Sequence, residues 1–247
     1  MATDKKKGLN TNSNSYTLIY AAIIVIVVAF LLAFVSQSLK PTQDKNVALD
    51  KKKQILAALN ISGLSDSESA ARYTEVVLAD AIIDADNNVV EKGEKGGVEA
   101  GFRLNSADFK EGKLALYICK VDGEDKYVIP VYGMGLWGAI SGYIAINADR
   151  STLYGAYFNH ESETAGLGAE IKDSKAWRDQ FRGKHLFAGE DNENVALSVK
   201  KKSDVKDPST QCDAVTGATL TSDGVSNMLH DCLQKYIKFF NSNDKEE

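Results

Sequence analysis

The chain has little of what metal or nucleic-acid chemistry needs. Its 247 residues include three cysteines and three histidines. Cys119, Cys212 and Cys232 lie far apart without a CxxC pair, and His160, His185 and His230 each stand alone. No four-ligand zinc site follows from that spacing. One disulfide stays open, but the spacing does not argue for it. Cys232 falls on the apolar stripe of an expected helix and reads as a buried free thiol. The net charge is −5 and the lysines are scattered, so a nucleic-acid partner is not expected. There is no internal repeat and no low-complexity tract beyond the charged ends. Charge itself is missing from Gly8 to Leu39.

Within that uncharged stretch, Thr17 to Val35 reads TLIYAAIIVIVVAFLLAFV. A helix of about 19 residues rises roughly 28 Å, close to the hydrocarbon thickness of a bilayer. A cleaved signal peptide is the bland alternative. Its apolar core would be shorter, about 7–15 residues, and would end in a small-x-small site. Val35-Ser36-Gln37-Ser38 is a poor match to such a site. The expected organisation is a short tail over 1–16, a single transmembrane helix over 17–36 and a juxtamembrane helical segment over 37–64. A domain over 65–241 and a charged tail over 242–247 follow. Lys5, Lys6 and Lys7 precede the span, while Lys40, Lys45 and Lys51 to Lys53 follow it, so charge alone leaves the orientation open.

After Pro41, Leu49, Ile55, Leu56 and Leu59 share a helical face, and Gly63 reads as the stop. Residues 64–113 carry few signals: 75–90 mix β-branched residues with acids, and Glu91 to Gly101 reads as a loop. LALYICK (114–120) and KYVIPVY (126–132) flank Asp122-Gly123, a hairpin signal. Pro130 predicts an edge strand or a bulge there. YIAINAD (143–149) and TLYGAYFNH (152–160) predict a second hairpin. A short helix over 173–181 and a strand over 194–200 follow. Val225, Met228, Leu229, Cys232, Leu233, Tyr236, Ile237 and Phe240 recur at three- and four-residue spacing, predicting an amphipathic helix that starts at Thr221, Ser222 and Asp223. Hairpins with few helices predict an α+β fold around an antiparallel sheet.

Directly before that helix lies Asp213-Ala214-Val215-Thr216-Gly217-Ala218-Thr219, then Leu220-Thr221-Ser222. A hydroxyl at a helix start sits where amides lack partners and the dipole is positive, which suits a phosphate. Gly217 and Ala218 let the backbone approach closely, and Thr216, Thr221 and Ser222 add donors. Taken singly, each residue here would read as a cap or turn residue. Gly133-Met134-Gly135-Leu136-Trp137-Gly138 formally matches GxGxxG. That dinucleotide fingerprint needs a helix to follow at once, and Ala139 to Ile146 is glycine-interrupted and then strand-like.

The whole D-x-x-[S/T]-G-A-T string resembles the motif that a flavin transferase modifies. It is found in the flavin mononucleotide (FMN) binding domain shared by the NqrC subunit of the Na+-translocating NADH:quinone reductase and its counterpart in the Rnf complex. Two further stretches are similar to that family: Glu163-Thr164-Ala165-Gly166-Leu167-Gly168, with alanine where proline usually stands, and the Gly135-Leu136-Trp137-Gly138 loop. The resemblance covers most of the chain. The juxtamembrane segment and the GLWG loop tilt it toward the NADH:quinone reductase branch.

The resemblance implies FMN joined by a phosphoester to Thr219, with Asp213, Thr216, Gly217, Ala218 and Thr221 as its local context. Glu163, Thr164, Leu167 and Gly168 would contact the cofactor. Leu136 and Trp137 would wall its ring, although a place in the core reads equally well for them. Under this reading the chain relays electrons from an NADH-oxidising subunit toward quinone and is not active alone. It needs other subunits of a membrane redox complex, a flavin transferase for maturation and lipid around its N-terminal helix. Its domain would lie on the periplasmic or outer side of the bacterial inner membrane. A ferredoxin-linked Rnf subunit is the near alternative; a membrane-tethered binding module without a cofactor is the distant one.

Overall fold

The structure, a computed structural model, describes residues 11, 13–94, 96–189 and 192–242. The three N-terminal lysines and the acidic residues after Ser242 lie outside the described residues. The chain divides into two units, Met1–Ala48 and Leu49–Glu247. The first is helical from Asn14, within helix α1 (Asn14–Ala58), and its large apolar side chains are exposed. Among the described residues, α1 is the one helix long and apolar enough to cross a membrane.

Pro41 lies inside α1 and does not begin a separate helix, contrary to the sequence expectation. A proline removes one hydrogen bond and crowds only the turn before it, so the helix-forming residues that follow carry the ladder on. The helix ends in the second unit, on Asn60 and not on Gly63. Asn60 takes a left-handed φ of 61°, and the Asn60 and Ile61 amides return to the carbonyls of Ala57 and Leu56. This is a Schellman closure, and asparagine tolerates it better than most residues.

The second unit is built on one antiparallel sheet. It comprises β1 (Val77–Ile83), β2 (Val89–Lys92), β3 (Leu114–Val121), β4 (Glu124–Met134), β5 (Ala139–Asn147) and β6 (Leu153–His160), in the order β2-β1-β3-β4-β5-β6. Both faces are covered. Alternation along β3 sends Leu114 and Leu116 into one core and Ala115, Tyr117 and Cys119 into the other. The first core is closed by α6 (Thr219–Leu233), through Val225, Met228, Leu229, Cys232 and Leu233. The second is closed by Ile55, Leu56, Ala58 and Leu59 from the end of α1, with Tyr73 and Val76 from α2 (Asp66–Val76).

Both predicted hairpins are present, and Asp122 and Gly123 have φ of 52° and 84°, the positive pair a two-residue turn requires. Pro130 departs from its prediction, because β4 is an interior strand without a bulge in its register with β5. Pairing with β3 nevertheless stops at Val128. From Pro130 onward the strand has no β3 ladder to feed, so the missing N–H costs nothing there.

Residues 64–113 hold more order than their pattern announces. Helix α2 opens with a capping box between Ser65 and Glu68, and α3 (Ser106–Lys110) opens with one between Asn105 and Asp108. The fully buried Asp80 accepts amides from Glu99, Ala100 and Phe102 and so organises the loop that follows β2. The helix expected over 173–181 is split into α4 (Glu170–Asp173), α5 (Lys175–Arg178) and a 3-10 turn. The strand expected over 194–200 shortens to β7 (Ser198–Lys200), paired in parallel with β8 (Gln211–Asp213). Beyond α6 a 3-10 turn leads into α7 (Ile237–Asn241). All three cysteines are free and buried.

Candidate functional site

Strand β8 delivers the chain into the attachment motif. The backbone of Asp213 is gripped from both directions: its N–H donates to Gln180 Oε1 at 2.9 Å, and its C=O accepts from Trp177 Nε1 at 2.7 Å. Gly217 then turns the chain with a φ of 78°, a conformation only glycine adopts freely. A side chain there would also press on Leu167 Cδ2, at 3.0 Å from its Cβ. Helix α6 starts two residues later.

That start is earlier than the capping residues suggest. Thr219 is the first helical residue, and the cap position belongs to Ala218, which has no side-chain oxygen to offer. The first bond back to the cap runs from Ser222 N–H to Ala218 C=O. The amides of Thr219, Leu220 and Thr221 therefore have no backbone partner among the described residues. Thr221 and Ser222 do not cap the helix because tertiary partners claim them. Ser222 Oγ accepts the Val215 amide at 3.0 Å, and Thr221 Oγ1 donates to Glu163 Oε2 at 2.6 Å. Asp223 is exposed.

Glu163 joins the three motifs. It is 7% exposed. Its other oxygen, Oε1, accepts the Trp137 amide at 2.9 Å. Burial works against its charge, but hydrogen bonding from the Thr221 hydroxyl and from backbone amides of the 136–138 turn outweighs burial and holds its carboxyl below the usual glutamate range. His160 Nδ1 accepts the Glu163 amide at 3.2 Å. Two glycines leave room for the carboxylate: a Cβ on Gly135 would lie 2.4 Å from Oε1, and one on Gly168 would lie 2.4 Å from Oε2. Gly224 lets α6 pass against the carbonyl of Met134.

The Leu136 and Trp137 side chains are not in the core. They are 46% and 68% exposed, because the Gly135 N–H to Gly138 C=O turn pulls the backbone inward and sends them outward. Met134, Leu167 and Leu220 are exposed as well. Thr219 is half-buried, Thr216 and Gly217 are exposed, and Ala218 is buried. Thr164 is exposed, and its C=O accepts the amides of Leu167 and Ala169. Asp213 and Thr216 line a cleft of about 500 Å³, together with Gly166, Glu170 and Lys202.

Sequence reasoning missed Trp177, Gln180, Lys202, Met134 and Leu220. Only Leu220, beside Thr219, and Met134, beside the GLWG loop, had a local signal. The others come from distant segments. Among the described residues no group of three or more His, Cys, Asp or Glu side chains could hold a metal ion.

A half-buried hydroxyl at an uncapped helix start is an arrangement suited to a phosphate group. The family model described as the FMN-binding domain matches residues 135–234, a span that contains all three motifs. The NqrC subunit of the Na(+)-translocating NADH-quinone reductase from Pseudomonas aeruginosa is 30% identical over 250 residues, covering 92% of this chain and 94% of the relative. Its counterpart from Haemophilus ducreyi is 31% identical over 235 residues, covering 88% and 89%. The crystal structure of the same subunit from Parabacteroides distasonis superimposes with a TM-score of 0.75 at 32% identity, covering 83% of this chain and 98% of that one. The chain belongs to the NqrC family of Na+-translocating NADH-quinone reductase subunits.

Proposed function

We propose that Thr219 carries FMN through a phosphoester bond, and that the chain is a membrane-anchored electron relay between the NADH-oxidising subunit of the complex and quinone. The observation that carries this reading is the uncapped start of α6. Thr219 is the first residue of the helix, where three amides lack backbone partners and the helix dipole is positive, an arrangement that favours a phosphodiester.

When bound, the flavin supplies the redox chemistry. The protein supplies position and shielding. Thr219 fixes the phosphate end, Gly217 allows the backbone to approach it, and Ala218 keeps the cap free of a competing oxygen. Leu136, Trp137 and Leu167 offer an apolar face suited to a ring, with Thr164 beside them at the loop. Asp213 and Thr216 line the open cleft, where a maturing flavin transferase can reach the motif. A covalent tether abolishes dissociation, which matters on the periplasmic side of the inner membrane, away from cytosolic FMN. Helix α1, set in lipid, keeps the site close to the redox subunits and raises their effective concentration.

The test is expression with a flavin transferase, followed by a denaturing gel under ultraviolet light and peptide mass mapping. A fluorescent band and one FMN-sized adduct on Thr219 are expected, and Thr219→Ala loses both. Retention of the adduct in Thr219→Ala, with loss in Thr216→Ala, overturns the assignment.

A further inference from the structure

We propose that Glu163 is a positioning residue: its carboxylate clamps the Leu136–Trp137 loop to the first turn of α6, setting the apolar wall in register with the Thr219 hydroxyl. This rests on the reading of Thr219 as the FMN attachment point. It assigns Glu163 a role other than touching the cofactor.

Both oxygens of the Glu163 carboxylate are engaged. Oε1 accepts the Trp137 amide at 2.9 Å, and Oε2 accepts the Thr221 hydroxyl at 2.6 Å. Each oxygen thus already holds a donor from the protein, and the group is buried besides. The partners come from two segments far apart in the sequence. One is the turn between β4 and β5; the other is the start of α6, with Thr221 two residues past the attachment point. Gly135 and Gly168 stand against the two carboxylate oxygens, where any side chain would displace them. A fixed negative charge beside a helix N-terminus is itself favoured, which keeps the carboxylate ionised as it holds both segments. Leu136 and Trp137 are exposed and have little packing to place them; the Gly135–Gly138 turn sends them outward, and the Trp137 amide bond to Glu163 ties that turn to α6.

The experiment uses the full chain in detergent, in two arms. In the first, without flavin transferase, amide hydrogen exchange is followed at Trp137. Glu163→Ala should speed exchange by roughly tenfold or more, as expected for loss of a charge-assisted bond. Glu163→Gln, which retains an acceptor oxygen for the loop and an amide for Thr221, should restore slow exchange. Exchange unchanged in Glu163→Ala, or equally fast in both variants, overturns the clamp. In the second arm the flavin is attached and its visible circular dichroism is read. Glu163→Ala and Thr221→Val, the latter sparing the loop bonds should Glu163→Ala fold poorly, should lose the signal while the adduct mass remains on Thr219. Glu163→Gln should keep it. An unchanged signal in both disrupting variants overturns the inference. Absence of any adduct on the unsubstituted chain sinks the proposed function instead, and the exchange arm still decides the clamp.

Discussion

The thiol of Cys232 on α6 serves both backbone groups of Tyr132 on β4, accepting from its N–H at 3.3 Å and donating to its C=O at 3.2 Å. Residues two apart in a strand direct their backbone groups to the same side. Pro130 and Tyr132 therefore share the flank that β3 leaves at Val128. Proline has no donor to satisfy, and the cysteine satisfies the next residue. Burial pushes the thiol up to about 11, so it stays protonated and able to donate at neutral pH.

Cys232→Ala should destabilise the domain by about 1–3 kcal/mol, because it leaves two partly buried backbone groups without a partner. Cys232→Ser keeps a donor and an acceptor and should lose less. Urea unfolding midpoints of the two variants check this; a larger loss for serine would reduce Cys232 to an apolar filler.

Gly168→Ala should cost about 1–3 kcal/mol, since its Cβ would enter the space of Glu163 Oε2 and of Thr221 Oγ1, 2.7 Å away. Gly166→Ala meets nothing within 4 Å and bears only the strain of a φ of 72°, roughly 1 kcal/mol. Thermal denaturation should rank Gly168→Ala as the less stable of the pair, and the attached flavin's visible circular dichroism should be lost in it alone.

Glu163 makes stability depend on acid in a definite sense. Its folded carboxyl lies below the unfolded value of about 4.3, so its contribution is complete above that pH. The contribution falls away as pH drops further through the folded value. The stability advantage of the native chain over Glu163→Gln should therefore hold constant from neutrality to about pH 5 and shrink toward pH 3. Denaturant titrations at stepped pH measure it. An advantage that grows in acid would contradict the assigned charge.

Thr219→Ala should change stability by less than about 0.5 kcal/mol, as for a surface substitution, because Thr219 makes no side-chain capping bond. Differential scanning of the flavin-free protein reads this directly. A larger loss would mean that the hydroxyl holds the helix start and is not free for attachment.

Much of the fold was legible because its signals are local. The apolar run, the Asp122-Gly123 turn and the 3–4 spacing from Val225 to Phe240 each depend on a few neighbouring residues. The capping boxes at Ser65 and Asn105 are equally local. Pro130 departs from the expectation because whether a strand is an edge is decided residue by residue, by where its neighbour ends. The start of α6 lies two residues before Thr221 because Thr221 and Ser222, good caps by type, are drawn to Glu163 and Val215.

The sequence by itself determined that an apolar span precedes an α+β domain, and that a threonine hydroxyl stands at the head of an amphipathic helix. Hydropathy and propensity are properties of contiguous residues, and both features are contiguous. Only the tertiary structure decided that Leu136 and Trp137 face outward, that Asp213 and Thr216 share a cleft with Lys202, and that Glu163 is enclosed between two distant segments. Those facts require residues 137, 163 and 221 to meet, and the sheet and the packing of α6 against it bring them together.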